Sequence, residues 1–142
     1  MATGYSGITV DELARQWDTL PAGLVDHMRA VSGLAGDLAA RNGLNPHEAE
    51  LVGFLHDVAR SQTPDRLLAL AAELAEPVSP VEADAPILLH GPVGSRQVLA
   101  RLPWVTPAMA DAIRWHSTGR WGMGPLEKVV FLADKLDRKS TV

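Results

Sequence analysis

Six polar residues of this 142-residue chain stand where apolar residues are expected, and all six have side chains that bind divalent metals. They are His27, His56, Asp57, His90, His116 and Asp134. Spacings of three, four, seven or eight residues place two positions on one face of a helix. By that rule five of the six share a face with apolar neighbours, and His90 directly follows an apolar run. The pattern predicts that all six side chains point inward.

A shared metal site explains the six residues together. A lone histidine on an apolar face is more often a hydrogen-bonded core residue, and one inward aspartate can cap a helix or pair with an arginine. Buried carboxylates are rarer, because an unpaired buried charge is costly. A divalent cation binds both imidazole nitrogen and carboxylate oxygen and offsets the acidic charge. The alternative is a metal-free helical bundle, in which Asp57 and Asp134 would each need a cationic partner of their own.

The doublet His56-Asp57 is the most informative of these positions. Adjacent helical residues point about 100° apart, so both can reach one cluster only if it lies beside a helix end. An aspartate placed there has two oxygens and can bridge two metal ions. His47, in the first turn after Pro46, lies off any buried stripe, and we expect it to be solvent-exposed and unliganded.

The elements that must position these residues are helices. Strand-like alternation is nearly absent, and Thr9, Asn45 and Thr63 stand where N-caps are expected. Helical patterns cover about 8–17, 23–43, 45–60, 63–75, 90–102, 106–116 and 124–137. Residues 77–86 contain three prolines and predict a loop or a broken turn. The fold class is all-α, a bundle of about six to seven helices.

Composition limits the function classes. The chain has no cysteine, so any metal must be held by His, Asp and Glu. A net charge of −4 without a basic block argues against nucleic acid as a partner. The N-terminus has early acidic residues and no long apolar run, which predicts neither a signal peptide nor a membrane anchor. We therefore expect a cytoplasmic protein with no membrane partner.

The ordered set of six resembles the HD-domain superfamily of metal-dependent phosphohydrolases. His27, His56, Asp57 and Asp134 match its basic H…HD…D pattern, and two further histidines match the form that holds two metals. The stretches FLHDVAR, LLHGPVGSR, AIRWHSTGR and GPLEKVVFLADKLD are similar to the YqeK-type branch, whose members are predicted symmetrical bis(5′-nucleosyl)-tetraphosphatases. The similarity covers roughly residues 23–138.

This resemblance implies a single HD domain over residues 1–142, with a lead-in helix at about 9–19 before the family-like core. It implies two divalent ions, with iron favoured and manganese, nickel, cobalt or magnesium as alternatives. His27, His56, Asp57 and Asp134 would hold one ion, and His90 and His116 the second, with Asp57 bridging. The implied reaction is hydrolysis of a small-molecule nucleotide, diadenosine tetraphosphate, to two ADP. Oligomeric state is open, a homodimer being one option.

Substrate contacts are expected around two of these ligands. Asp57 and Arg60 are the candidate catalytic residues, and Arg60 would also contact phosphate, because a guanidinium can donate two parallel hydrogen bonds. Thr118, Gly119 and Arg120 follow His116 and form the expected phosphate-binding strip. Two tryptophans could cover a purine ring: we expect Trp115 to pack in the core, and Trp121 is left open.

Some positions depart from the branch. Arg60 stands where lysine is usual, and Lys135-Leu136-Asp137 follows Asp134 where the branch tends to continue Tyr-Ile-Glu. Two other functions stay open beside the tetraphosphatase: an HD hydrolase of another nucleotide phosphoester, and a low-activity nucleotide-binding module. The presence of His90 and His116 argues against the first, and the presence of all six ligands against the second.

Overall fold

Residues 4–137, which a computed structural model describes, are helical throughout their regular structure and contain no β-strand. They form α1 (Val10–Gln16), α2 (Ala22–Arg41), α3 (Pro46–Leu55), α4 (Pro64–Glu73), α5 (Pro80–Asp84), α6 (His90–Arg101), α7 (Pro107–Arg114) and α8 (Pro125–Leu136), with a 3₁₀ helix at Pro86–Leu89. The all-α prediction is confirmed. Within this part of the chain, no helix has the length and apolar character needed to span a lipid bilayer.

Helix starts follow the sequence signals closely. The side chains of Thr9, Asn45 and Thr63 accept hydrogen bonds from backbone N–H groups of the first turns of α1, α3 and α4. These bonds satisfy donors that a helix N-terminus otherwise leaves unpaired. Gly43, just past α2, has φ +71°, a left-handed conformation that stops the helix with little strain for glycine.

Two expected element boundaries are wrong. α3 ends at Leu55, so the His56-Asp57 doublet lies in the turn that follows it and not within a longer helix. Residues 77–86 are not simply a loop, because they contain α5. There Ser79 accepts from the backbone N–H of Glu82, while the Glu82 carboxylate accepts from that of Ser79. This reciprocal cap stabilises a helix of only five residues despite the neighbouring prolines.

The core forms where α2 and α3 pack against each other and against α7 and α8. Its largest cluster includes Met28 from α2, Phe54 and Leu55 from α3, and Ile113 from α7, all fully buried. Gly53 permits the close crossing of α2 and α3, because a Cβ there would lie 3.1 Å from the Cα of Ser32. The crossing packs α2, which carries His27 near its beginning, against α3, which leads directly into the turn that contains His56 and Asp57.

A set of ion pairs around Glu76 holds the segment after α4 against α6 and α7. The carboxylate of Glu76, with its side chain only 2% exposed, accepts from Arg96 Nε at 2.6 Å. It also accepts from Arg114 Nη1 at 2.7 Å and Nη2 at 2.6 Å. Burial raises the pKa of Glu76, but the hydrogen bonds from the two guanidinium groups outweigh it and leave the pKa below its usual value.

We expect Gly91→Ala to lower the free energy of unfolding by about 1–3 kcal/mol, because a helix must move to admit the methyl group. A Cβ at Gly91 would lie 2.5 Å from the carbonyl oxygen of Arg114 on α7. Gly94→Ala, on the same helix, is the matched control. Its Cβ would meet Val58 Cγ2 at 3.5 Å, and we expect it to be neutral or stabilising by up to about 1 kcal/mol. Urea denaturation measures both, and equal losses would contradict the close packing.

We expect Glu76→Gln to cost about 1–3 kcal/mol of unfolding free energy at pH 7, because charged hydrogen bonds to two arginines are weakened. A carboxylate whose folded pKa lies below its unfolded pKa stabilises the fold above the unfolded value. That contribution is lost as pH falls through the folded pKa. The difference between the parent and the variant should therefore shrink below the ordinary glutamate pKa of 4.5. Urea denaturation across this pH range checks it, and a pH-independent difference would refute the assignment.

Candidate metal centre

The fold brings all six candidate ligands into one buried cluster, although they come from distant parts of the chain. His27 projects from α2, His56 and Asp57 from the turn after α3, and Asp134 from α8. The first group, whose ligand atoms lie within 4.8 Å of one another, contains His27, His56, Asp57 and Asp134. The second contains Asp57, His90 from the start of α6, and His116 from the turn after α7. Asp57 belongs to both.

Asp57 turns one carboxylate oxygen toward each group. Its Oδ2 lies 3.3 Å from the Nε2 atoms of both His27 and His56. Its Oδ1 lies 3.0 Å from His116 Nε2 and 3.3 Å from His90 Nε2. The carboxylate is therefore placed to connect two neighbouring sets of nitrogen ligands.

Backbone carbonyls at helix ends orient three of the four imidazole rings. The Nδ1 atoms of His56 and His90 lie 2.6 Å from the carbonyl oxygens of Gly53 and Ile87, respectively. His116 Nδ1 makes the same contact with Ile113 O at 2.7 Å. A carbonyl oxygen only accepts, so each Nδ1 carries the donated hydrogen. In the neutral ring, Nε2 then presents its lone pair to the cluster.

The converging nitrogen and oxygen atoms of the cluster fit a cation. The Nε2 atoms of His27 and His56 lie 3.2 Å apart, and those of His90 and His116 lie 3.0 Å apart. Two lone pairs that face each other at this distance repel unless a proton or a positive ion lies between them. Asp57 Oδ1 is buried and accepts no well-directed hydrogen bond from the described residues. These donors are the nitrogen and oxygen ligands that divalent transition metals prefer.

The raised pKa values of His27 and His56 indicate that a bound cation would replace protons on these rings. Burial lowers the pKa of His27, but Asp134, Asp57 and Asp137 outweigh it and raise the value to about 10. Burial likewise lowers the pKa of His56, and the charge of Asp57 helps raise it to about 9. In the metal-free cluster these two imidazolium ions therefore neutralise the carboxylates. A metal ion must displace those protons, so binding couples to proton release.

The two aspartates stay ionised at neutral pH. Burial raises the pKa of Asp57, but the charge of His56 and the nearby imidazole nitrogens of His116 and His27 hold it well below its usual range. The pKa of Asp134 is held down in the same way, chiefly by hydrogen bonds from His27 and His56. Burial lowers the pKa of His116, which keeps this ring neutral and available as a ligand.

Two contributors at the edge of the cluster were not expected from the sequence. Asp137 Oδ2 lies 2.6 Å from His27 Nδ1, so a carboxylate orients the one imidazole that no backbone carbonyl holds. Lys135 Nζ lies 3.0 Å from Asp134 Oδ2 and 3.4 Å from the carbonyl oxygen of His116. The spacing of three between Asp134 and Asp137 is the signal that could have identified the first of these.

The two arginines that were expected to contact phosphate differ in whether carboxylates already bind them. Arg60 is exposed, and its guanidinium forms no ion pair with the described residues. Arg120 Nε donates to Glu127 Oε2 at 3.0 Å, and its Nη2 donates to Asp111 Oδ2 at 3.4 Å. A phosphate would therefore have to compete with two carboxylates for Arg120.

The rest of the expected strip lies in the same turn. The Thr118 hydroxyl is exposed and donates to Gly119 O at 3.1 Å. Gly119 has φ +67°, which the turn requires and which side-chain-bearing residues rarely adopt.

Two aromatic expectations are wrong. His47 is half-buried, not solvent-exposed, because its ring packs 5.9 Å from that of Tyr5 and its Nε2 lies 3.1 Å from the Tyr5 carbonyl oxygen. Among the described residues it belongs to neither group of candidate ligands. Trp115 is half-buried and lines a cleft instead of packing in the core, and Trp121 is 100% exposed.

This chain belongs to the HD domain family, whose model matches residues 24–139. The crystal structure of a predicted HD superfamily hydrolase involved in NAD metabolism from Clostridium acetobutylicum has a TM-score of 0.82. It is 23% identical and covers 91% of this chain and 67% of that one, so it supports the fold. The family and the cluster together indicate divalent metal binding.

Two curated relatives are similar over most of the chain. "Bis(5′-nucleosyl)-tetraphosphatase, symmetrical" from Bacillus subtilis is 32% identical over 111 residues, which is 78% of this chain. The protein of the same name from Halalkalibacterium halodurans is 34% identical over 112 residues. In both cases the similarity spans 59% of the relative's length.

We expect His56→Ala to weaken manganese binding at least about tenfold. The substitution removes a ligand nitrogen and leaves the buried Asp57 carboxylate without one of its imidazole neighbours. His47→Ala is the matched control, since this histidine lies outside both ligand groups. The measurement is manganese per chain after equilibration with Mn²⁺ and removal of unbound ions. Equal manganese contents in the two variants would show that the cluster is not the metal site.

Proposed function

We propose that the protein is a metal-dependent hydrolase that cleaves a dinucleoside polyphosphate, in particular diadenosine tetraphosphate to two molecules of ADP. The observation that carries the proposal is the pair of ligand groups that share the Asp57 carboxylate. The names of two relatives, each at least 32% identical, support this substrate class. Because this chain spans little more than half of each relative, the substrate and the reaction are proposed from that partial similarity.

The proposed cofactor is a pair of divalent ions, one in each ligand group, with iron favoured. A donor set of imidazole and carboxylate without sulfur also suits manganese, nickel, cobalt or magnesium, so availability can decide among them. When bound, such a pair supplies positive charge to a phosphoryl group and makes a water molecule more acidic.

The chain's own residues would hold this site in a fixed geometry. Asp57 would fix the position of one ligand group relative to the other, because each of its oxygens faces one of them. The imidazole rings resist rotation, since their Nδ1 hydrogens are held by carbonyls or by Asp137. Burial of the ligands excludes bulk water and strengthens the attraction of the site for an anionic substrate.

Phosphate recognition would come from the exposed side of the cluster. Arg60, three residues after Asp57 and free of ion pairs with described residues, is the proposed guanidinium donor, while Thr118 and Gly119 would add neutral contacts. Lys135 Nζ lies beside Asp134 and adds a further positive charge at that edge. Arg120 would join only if phosphate displaces Asp111 or Glu127 from it.

The proposal is tested by incubating the protein with diadenosine tetraphosphate and Mn²⁺ or Fe²⁺ and separating the products by anion-exchange chromatography. We expect ADP as the only nucleotide product, and we expect Asp57→Asn to abolish its formation. The products AMP and ATP would exclude symmetrical cleavage. Release of phosphate from a nucleoside monophosphate, with no cleavage of the dinucleotide, would favour another HD phosphohydrolase.

We expect Arg60→Met to lower kcat/KM for diadenosine tetraphosphate by roughly 10- to 100-fold, because one charged hydrogen bond to phosphate is worth about 1.5–3 kcal/mol. Arg41→Met, at the exposed end of α2, is the control for loss of a surface arginine and should leave kcat/KM unchanged. Steady-state kinetics measure both variants. Equal kcat/KM values in the two would exclude Arg60 from the site.

A further inference from the structure

We infer that a cleft beside the His90–His116 side of the cluster binds one nucleoside end of the substrate. The cleft has a volume of about 480 Å³, within the range of small-molecule sites. It lies between the segment from Glu76 to Glu82, the beginning of α6 and the end of α7. This inference rests on the proposed function, because it assigns a subsite to the same substrate.

Residues that line the cleft flank both histidines of the second ligand group in the sequence. Trp115 and Thr118, on its wall, lie one residue before and two residues after His116. Leu88 and Pro92, which also line it, lie two residues before and two after His90. In a symmetrical dinucleoside tetraphosphate, two phosphates separate each nucleoside from the bond that is cleaved. A nucleoside pocket should therefore lie next to the metal ligands and not among them.

The walls suit a base better than a phosphate. Val78, Val81 and Leu88 supply aliphatic surface, and Trp115 supplies an aromatic one. Val78 is 38% exposed and Val81 is 65% exposed, so the rim of the cleft presents apolar groups to solvent. A concave lining of aliphatic and aromatic side chains with a few polar groups is typical of a small-molecule site.

The charges of the cleft are already paired. Arg114 is the cation that lines it, and Glu76 accepts from both of its terminal nitrogens at 2.6 and 2.7 Å. Glu82 Oε1 accepts from the backbone N–H of Ser79 at 2.9 Å. Among the described residues, no arginine or lysine that lines the cleft is left for a phosphate. A neutral base and its ribose do not need a free cation. The hydroxyls of Ser79 and Thr118 are suitable hydrogen-bond partners for ribose oxygens.

The test uses adenosine, which carries no phosphate and needs no metal. In chelator-treated protein labelled with ¹⁵N-tryptophan, the indole N–H signals are followed by NMR as adenosine is added, and a Trp115→Phe sample identifies the Trp115 signal. We expect a saturable shift of the Trp115 signal and none of Trp121, which is fully exposed and lies outside the cleft. Absence of a Trp115 shift up to the solubility limit of adenosine would overturn the inference.

A matched pair of variants locates the binding site. We expect Val78→Asp to weaken adenosine binding at least fivefold and to raise KM for diadenosine tetraphosphate by a similar factor. Leu99→Asp, at a 46% exposed position of α6 outside the cleft, should change neither. Equal affinities of the two variants for adenosine would overturn the inference even if Trp115 responds.

The inference and the proposed function fail in different ways. Adenosine-dependent shifts at Trp115 that Val78→Asp weakens, together with no cleavage of diadenosine tetraphosphate, would support the nucleoside site and reject the reaction. Cleavage with an unchanged KM in Val78→Asp and no shift at Trp115 would support the reaction and reject this cleft.

Discussion

The buried carboxylate of Asp57 is the constraint on which the rest of the structure depends. Its two oxygens lie 3.0–3.3 Å from the Nε2 atoms of four imidazoles, in a region almost closed to solvent. Removing a carboxylate from water costs several kcal/mol unless positive charge offsets it. In the metal-free cluster protons on His27 and His56 provide that charge, and a metal ion would provide it more directly. The fold is thus built around a site that requires a cation.

Three of the four histidines of this site, His56, His90 and His116, lie at or just beyond helix ends. The turns after α3 and α7 and the beginning of α6 place a histidine three residues after a carbonyl oxygen that its Nδ1 can reach. Each contact serves two purposes, since it orients a ligand ring and gives a partner to a carbonyl near a helix end. Metal binding, ring orientation and local helix geometry are therefore physically coupled, and the site should gain rigidity when a cation binds.

The sequence predicted which polar side chains are buried together better than it predicted their surroundings. The positions of His27, His116 and Asp134 followed from helical periodicity, which is local information, as did the N-caps at Asn45 and Thr63. Contacts between distant segments were missed because periodicity does not specify which elements meet. Arg120 looked available in the sequence, yet the fold brings Glu127 and Asp111 to it. Three prolines suggested a loop where the reciprocal cap of α5 stabilises a short helix.

Crystals soaked in Mn²⁺ would test the central claim most directly through an anomalous difference map. The account predicts two peaks, one on each side of the Asp57 carboxylate. One peak should lie within bonding distance of His27, His56 and Asp134, and the other of His90 and His116. A map with no peak at Asp57, or with manganese bound only elsewhere on the molecule, would contradict the account.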